Sequence, residues 1–308
     1  MADEANVDEG ALWPPGIEPT TEFLDTLEFV RRTRDNLFIT GRAGTGKSTL
    51  LRAIVRSLGD QVVIGAPTGI AAFNVGGQTL HSLFRLPREG LLIDGEEDEV
   101  SPNSVFLADE PTLVIDEVSM VRSDVLNAID RGLRNLREHD AVFGGVRVIA
   151  IGDTHQLPPV ITREDAATLR EVFGGTFFFH APAARSMAMV ELSEVFRQKD
   201  QRFVSILNEI REGRISGSSL AELNRRVGPV PQADDQRWVW LCTTNQEAAN
   251  VNRRCLDALP GVPVEHSGVG AREKRVVDAC ITGALPALEH HAEACLPHGK
   301  HGHAGDRT

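Results

Sequence analysis

Gly41-Arg42-Ala43-Gly44-Thr45-Gly46-Lys47-Ser48-Thr49 is the stretch on which the reading of this chain turns. Two glycines flank four residues and stand directly before Lys-Ser. Glycine lets the backbone curl through conformations closed to other residues, so that successive N–H groups converge on one point. The helix that follows adds its positive end to that point. The lysine then reaches β- and γ-phosphates, and the serine hydroxyl suits Mg²⁺. This is the P-loop pattern, and it predicts that Gly41, Ala43, Gly44, Thr45, Gly46, Lys47, Ser48 and Thr49 hold a nucleotide. ATP and Mg²⁺ are the cofactors expected from it. A chance glycine-rich turn would lack the flanking elements seen here. Asn36 to Thr40 reads as a buried strand and Leu50 to Leu58 as a helix stopped at Gly59.

Outward from this point, Leu113-Val114-Ile115 runs into Asp116-Glu117. A buried strand would carry that carboxylate pair to the C-terminal edge of a sheet, where nucleotides bind in open α/β folds. Asp116 is expected to hold Mg²⁺ together with Ser48, and Glu117 to orient or deprotonate the attacking water. Further strands are expected at Gln61 to Ala66 and Val146 to Ile151, with helices at Thr21 to Arg34 and Val121 to Leu136. Strands alternating with helices predict an α/β protein whose parallel sheet is covered on both faces. Phe177-Phe178-Phe179 reads as a core strand.

Several segments between and beyond these two motifs resemble the Pif-type DNA helicases, superfamily 1 enzymes of the 5′→3′ branch. They are Ala66-Pro67-Thr68-Gly69-Ile70-Ala71-Ala72, Gly76-Gly77-Gln78-Thr79-Leu80-His81, Asp116-Glu117-Val118-Ser119-Met120, Gly152-Asp153-Thr154-His155-Gln156-Leu157-Pro158-Pro159 and Leu192-Ser193-Glu194-Val195-Phe196-Arg197-Gln198. Thr243-Thr244-Asn245 resembles the opening of the family's second RecA-like domain. The resemblance covers roughly residues 21–262. It implies a P-loop NTPase with a RecA-like parallel sheet flanked by helices, and an ATP-driven translocase on single-stranded DNA serving repair, recombination or telomere maintenance. By position it implies that Gln156 senses the γ-phosphate and that Arg197 is an arginine finger. With Lys47, Asp116 and Glu117 these complete the expected catalytic set. The resemblance also implies a DNA path along Pro67, Thr68, Gly69 and His81, with Thr244 and Asn245 on the second domain. Leu24 stands where related helicases often carry an adenine-reading glutamine.

The net charge of −12 argues against a nucleic-acid partner only until it is located. Residues 1–28 hold eight acids and no base, and residues 89–110 hold eight more and no base. Elsewhere 28 acids face 32 bases, which leaves room for a basic groove. No apolar run approaches the ~20 residues that span a bilayer, and the acidic N-terminus is no secretory signal. Four cysteines make no disulfide scaffold, so reduced thiols and a cytoplasmic location are expected. The expected organisation is a disordered acidic lead-in over 1–20, a RecA-like domain 1A over 21–200 with an insertion near 88–110, a partial domain 2A over 201–262, and an atypical, poorly ordered tail over 263–308. The family continues with motifs and a second arginine that the tail lacks, as a truncation or frameshift would produce. Two other functions therefore stay open: a non-catalytic nucleotide- and DNA-binding remnant, and another P-loop DNA-dependent ATPase.

Overall fold

In Leu113-Val114-Ile115 alternate residues serve different cores. Leu113 and Ile115 join one apolar cluster, and Val114 joins the other. Val148 and Ala150 face the first cluster, while Ile149 and Ile151 face the second. Successive side chains of a strand point to opposite faces, so a continuous apolar run is the signature of a sheet buried on both sides. The computed structural model describes residues 12–87, 90–93, 100–196, 200–228, 240–258, 264–267 and 277–280.

The chain divides into two compact units, Met1–Asn224 and Arg225–Thr308. The first contains α1 (Thr21–Arg32), β1 (Leu37–Gly41), α2 (Lys47–Leu58), β2 (Val62–Ala66), α3 (Gly69–Val75), β3 (Gln78–Thr79) and α4 (Leu80–Phe84). It continues with β4 (Thr112–Ile115), α5 (Ser123–Arg137), β5 (Arg147–Ile151), α6 (Arg163–Phe173), β6 (Ala188–Leu192), α7 (Gln201–Arg211) and α8 (Gly217–Asn224). The strands form one parallel sheet in the order β3-β2-β4-β5-β1-β6. Leu50, Leu51 and Ile54 of α2 and Phe23, Leu27 and Val30 of α1 cover one face. Leu126, Ile129 and Leu133 of α5 cover the other. β5 lies between β1 and β4, so the ends of these three strands stand side by side.

Several expectations are corrected. Residues 12–20 are not a disordered lead-in: Leu12 and Trp13 are buried, and the Trp13 ring stacks on Phe23 at 5.6 Å. Phe177-Phe178-Phe179 is no strand, since a 3₁₀ turn takes Phe178–His180 and only Phe178 of the three is fully buried. The insertion expected near 88–110 stays inside the first unit, with Leu92 and Phe106 in the core and the Leu92 amide donating to Asp124 Oδ2 at 2.9 Å. Helices α7 and α8 belong to the first unit, which moves the boundary from residue 200 to 224. A strand is expected at Trp238–Cys242; Trp238 and Val239 lie outside the described residues, and Trp240–Cys242 is not in a strand, with Leu241 95% exposed.

Within the second unit α9 spans Asn245–Asp257, and β7 (Val264–Ser267) pairs antiparallel with β8 (Val277–Cys280). That pair lies inside the segment expected to be a poorly ordered tail. Residues 281–308 of that tail lie outside the described residues.

Candidate functional site

The loop from β1 to α2 is shaped by what glycine lacks. Gly46 has φ +80°, and a Cβ there would stand 2.6 Å from Phe23 Cζ. At Gly41 a Cβ would meet the Leu192 carbonyl oxygen and the Thr45 hydroxyl, each at 2.7 Å. The backbone can thus press against its surroundings while curling. Gly46 opens α2 without a side-chain cap, so the first N–H groups of the helix stay available to an anion. Lys47 Nζ donates to the carbonyls of Gly41 at 2.7 Å and Arg42 at 3.0 Å, which arches the side chain back over the loop. Burial pushes the Lys47 ammonium below its usual range, against the pull of Asp153, Glu117 and Asp116, while Arg211 pushes it the same way as burial.

Across the sheet edge, β4 ends at Asp116, whose amide donates to the Gly65 carbonyl at 2.9 Å. Burial, then the neighbouring Glu117 charge, raises the Asp116 carboxyl; the Glu117 amide and Lys47 act against that rise. Glu117 adopts φ +51°, ψ +42°. A left-handed conformation at a non-glycine residue is sparsely populated, and residues held this way cluster at functional sites. It turns the chain sharply out of β4 into the 3₁₀ turn Val118–Met120. Ser48, Asp116, Glu117, Gln156 and Thr68 line one cavity of about 340 Å³. A hydroxyl and a carboxylate are hard oxygen donors suited to Mg²⁺, which normally completes its shell with waters and substrate phosphates. Among the described residues there is no cluster of three or more His, Cys, Asp or Glu that could hold a metal on its own.

β5 delivers Asp153, which is 1% exposed and collects several donors. Arg211 Nη2 reaches its Oδ1 at 3.0 Å, the His155 amide reaches the same oxygen at 3.1 Å, and Gln156 Nε2 reaches Oδ2 at 3.3 Å. Burial alone would raise this carboxyl. The hydrogen bonds from Arg211, His155 and Gln156, with the Arg211 charge, outweigh burial and hold it below the usual carboxylate range. Neither Asp153 nor Arg211 was among the residues expected from sequence to form the site. Asp153 carried a signal, its place three residues before Gln156; Arg211 carried none, since 58 positions separate it from its partner.

The segment after β6 returns to the loop. The Phe196 amide donates to the Gly44 carbonyl at 2.9 Å, and the Phe196 ring lies 5.9 Å from that of Phe23. Arg197 itself lies outside the described residues. Leu24 is 41% exposed on α1.

The residues expected to meet DNA fall into separate groups. Pro67 and His81 line a second cavity of about 500 Å³ with Thr79, Ser82 and Leu86. Thr68 instead caps α3, its hydroxyl accepting from the Ala71 amide at 3.2 Å, and Gly69 opens that helix. Thr244 caps α9 in the same manner, accepting from the Glu247 amide at 3.2 Å, and Asn245 is its first residue. Thr68 caps its helix within the first unit, and Thr244 and Asn245 belong to the second. A capping hydroxyl keeps its own hydrogen as a donor to a further acceptor.

The chain is similar to the ATP-dependent DNA helicase PIF1 of Candida albicans, with 36% identity over 248 residues, covering 76% of this chain and 27% of that protein. It is 31% identical to the ATP-dependent DNA helicase RRM3 of Saccharomyces cerevisiae over 267 residues, 83% of this chain and 36% of the other. It therefore spans about a third of the length of the curated relatives it matches. Among solved structures, Pif1 helicase from Bacteroides in complex with ADP-AlF3 and single-stranded DNA aligns with a TM-score of 0.72 and 33% identity, over 83% of this chain and 61% of that one. No helix among the described residues is long and apolar enough to cross a membrane. The family model of the PIF1-like helicases matches residues 23–220, more than half of the chain, and the chain belongs to that family.

Proposed function

We propose that the chain carries the nucleotide-hydrolysing half of an ATP-dependent DNA helicase that moves 5′→3′ on single-stranded DNA. The observation that supports this most is the meeting of Lys47, Ser48, Asp116, Glu117 and Gln156 at the C-terminal ends of neighbouring parallel strands. In this reading Gly41, Ala43, Gly44, Thr45, Gly46, Lys47, Ser48 and Thr49 cradle the phosphates of ATP. Backbone N–H groups and the Lys47 ammonium oppose the negative charge that shifts onto the phosphoryl oxygens during transfer. Ser48 and Asp116 hold Mg²⁺, which when bound neutralises charge on the β- and γ-phosphates. Glu117 accepts the proton of a water whose oxygen attacks the γ-phosphorus as the bond to ADP breaks. Gln156 senses the terminal phosphate, and Arg197 contributes a cation to it. Because Asp153 grips Gln156, a change at the phosphate passes directly into β5 and the loop after it.

Single-stranded DNA is the partner, running along Pro67, Thr68, Gly69 and His81 and along Thr244 and Asn245. Backbone amides and hydroxyls at these positions suit phosphate contact without sequence preference. DNA repair, recombination and telomere maintenance are processes such a motor would serve, and we place it in the cytoplasmic compartment with its thiols reduced.

The test uses the 308-residue chain with Lys47→Ala and Glu117→Gln. Lys47→Ala should weaken ATP binding severely. Glu117→Gln keeps the shape but not the base, so binding should persist while hydrolysis falls ~10²–10⁴-fold. Nucleotide affinity at the parent value in Lys47→Ala would overturn the nucleotide site. Equal loss of binding and hydrolysis in Glu117→Gln would give Glu117 a structural role instead.

A further inference from the structure

Arg211 ends α7, far along the chain from either phosphate-site motif, yet its side chain returns to the sheet edge. Its Nη2 lies 3.0 Å from Asp153 Oδ1, and the two side chains are 19% and 1% exposed. Its Nε is buried with no hydrogen-bond partner. A guanidinium has five N–H donors in a fixed fork, and burying one unmatched is unfavourable. The donor is therefore short of an acceptor. The carboxylate that holds this guanidinium also holds Gln156 at 3.3 Å, and Gln156 lines one cavity with Ser48, Asp116 and Glu117. An anion seated on the Lys47 loop would come within the field of both cations.

The partner it holds now can release it without being stranded. Asp153 keeps the His155 amide at 3.1 Å and Gln156 Nε2 at 3.3 Å when the arginine leaves. A phosphate group carries more charge than one carboxylate and presents several oxygens to the fork, a match to which arginine is suited. The turn behind α7 is braced as well. Glu209 accepts from the Ser216 amide at 2.8 Å and the Ser219 hydroxyl at 2.9 Å, and Arg202 pairs with Glu222 at 2.9 Å. Helices α7 and α8 are thus joined, and a shift of Arg211 is carried by both.

We propose that Arg211 is a further cation of the nucleotide site, which exchanges Asp153 for the terminal phosphate of a nucleoside triphosphate and so ties α7–α8 to the presence of that phosphate. This rests on the assignment of the Lys47 loop as the nucleotide site, and it adds a residue distinct from Arg197. Arg211 reads the third phosphate, the one that Gln156 senses, because Gln156 and Arg211 share Asp153 and the loop amides already serve the inner phosphates.

The experiment titrates fluorescent ATPγS and fluorescent ADP, each with Mg²⁺, against the parent chain, Arg211→Ala, Arg211→Lys and Lys47→Ala, with thermal melting as a check of folding. Arg211→Ala should weaken ATPγS about tenfold, the weight of one charge-assisted hydrogen bond, and leave ADP within about twofold of the parent. Arg211→Lys keeps the charge but not the fork, and should recover part of the loss. Where Arg211→Ala melts well below the parent, Arg211→Lys is the deciding variant, with a drop of about threefold confined to ATPγS. A parent-like ATPγS-to-ADP ratio in the deciding variant overturns the proposal, as does an equal loss for both nucleotides, which would mark Arg211 as structural. Lys47→Ala should weaken both nucleotides; if it weakens neither, the nucleotide site itself is misassigned, an outcome separate from failure of Arg211.

Discussion

Single atoms decide what the phosphate loop tolerates. Gly46 and Gly174 both have φ +80°, but an added Cβ at Gly46 would lie 2.6 Å from Phe23 Cζ, whereas at Gly174 nothing lies within 4 Å. Alanine at Gly174 therefore meets only the cost of a left-handed backbone, about 1 kcal/mol. Alanine at Gly46 meets that cost and also displaces Phe23, which packs on Trp13 and Phe196, so the loss should reach ~3 kcal/mol. Urea midpoints of the two variants measure the difference; equal midpoints would show that the contact with Phe23 yields freely. Lys47, Asp116 and Glu117 were legible in the sequence because each sits inside a short contiguous pattern whose spacing the chemistry fixes. Arg211 and the Phe196–Gly44 hydrogen bond were not, because their partners are brought close only by the crossing of the chain. The left-handed backbone of Glu117 was equally hidden, since glutamate gives no hint of it.

At the scale of the elements, the buried strands announced themselves and the edge did not. β4 and β5 are buried at every position and read as unbroken apolar runs, apart from the buried Thr112 and Arg147 that open them. β6 pairs with β1 at the sheet edge, and of Ala188–Leu192 only Leu192 is fully buried, so its composition carries little strand signal. Phe177-Phe178-Phe179 misled for the opposite reason, because three aromatic residues satisfy a strand pattern although pairing stops at a single bridge between Phe177 and Arg122 before the 3₁₀ turn Phe178–His180 begins. Arg147 shows how a charge can open a buried strand. Its guanidinium donates to the carbonyls of Val30 at 2.6 Å and Thr33 at 2.9 Å, and to the Thr112 hydroxyl at 3.0 Å. It thereby closes the C-terminal end of α1 against the N-terminal end of β5. Burial, with Arg34 nearby, lowers its pKa to about 10 despite the pull of Glu110, so it remains charged at neutral pH. Arg147→Met keeps the stem and strands the acceptors, and should cost ~2–4 kcal/mol in urea unfolding. Nucleotide affinity should hold, because the phosphate loop lies at the opposite end of the strands. A stability loss below about 1 kcal/mol would mean that water replaces the guanidinium there.

Over the whole molecule, chemistry and core coincide in one unit. Both apolar clusters draw their buried members from Leu12 to Leu192, and every described residue proposed for the nucleotide site lies before Asn224. The sequence placed the boundary near residue 200, because the motif ending at Gln198 gave way there to a new helix, and helices carry no label of the sheet they serve. What assigns α7 and α8 to the first unit is a set of contacts between residues distant in the chain, the Arg211–Asp153 ion pair among them. A chain ending at Asn224 should therefore fold on its own and keep the nucleotide site. It retains Leu12 and Trp13 against Phe23, the six parallel strands, and Arg211 on Asp153. Its expected behaviour is a single cooperative thermal transition and an affinity for ATP–Mg²⁺ within about threefold of the 308-residue chain, less than a kcal/mol apart. A chain ending at Asp200 keeps both cores but loses α7 and α8. It should also fold, with weaker binding of ATP than the longer fragment and the same binding of ADP. If the fragment ending at Asn224 fails to fold, the first unit needs the residues beyond it, and the boundary belongs further along the chain. If both fragments fold and bind ATP equally, α7 and α8 are carried by the first unit without serving its site.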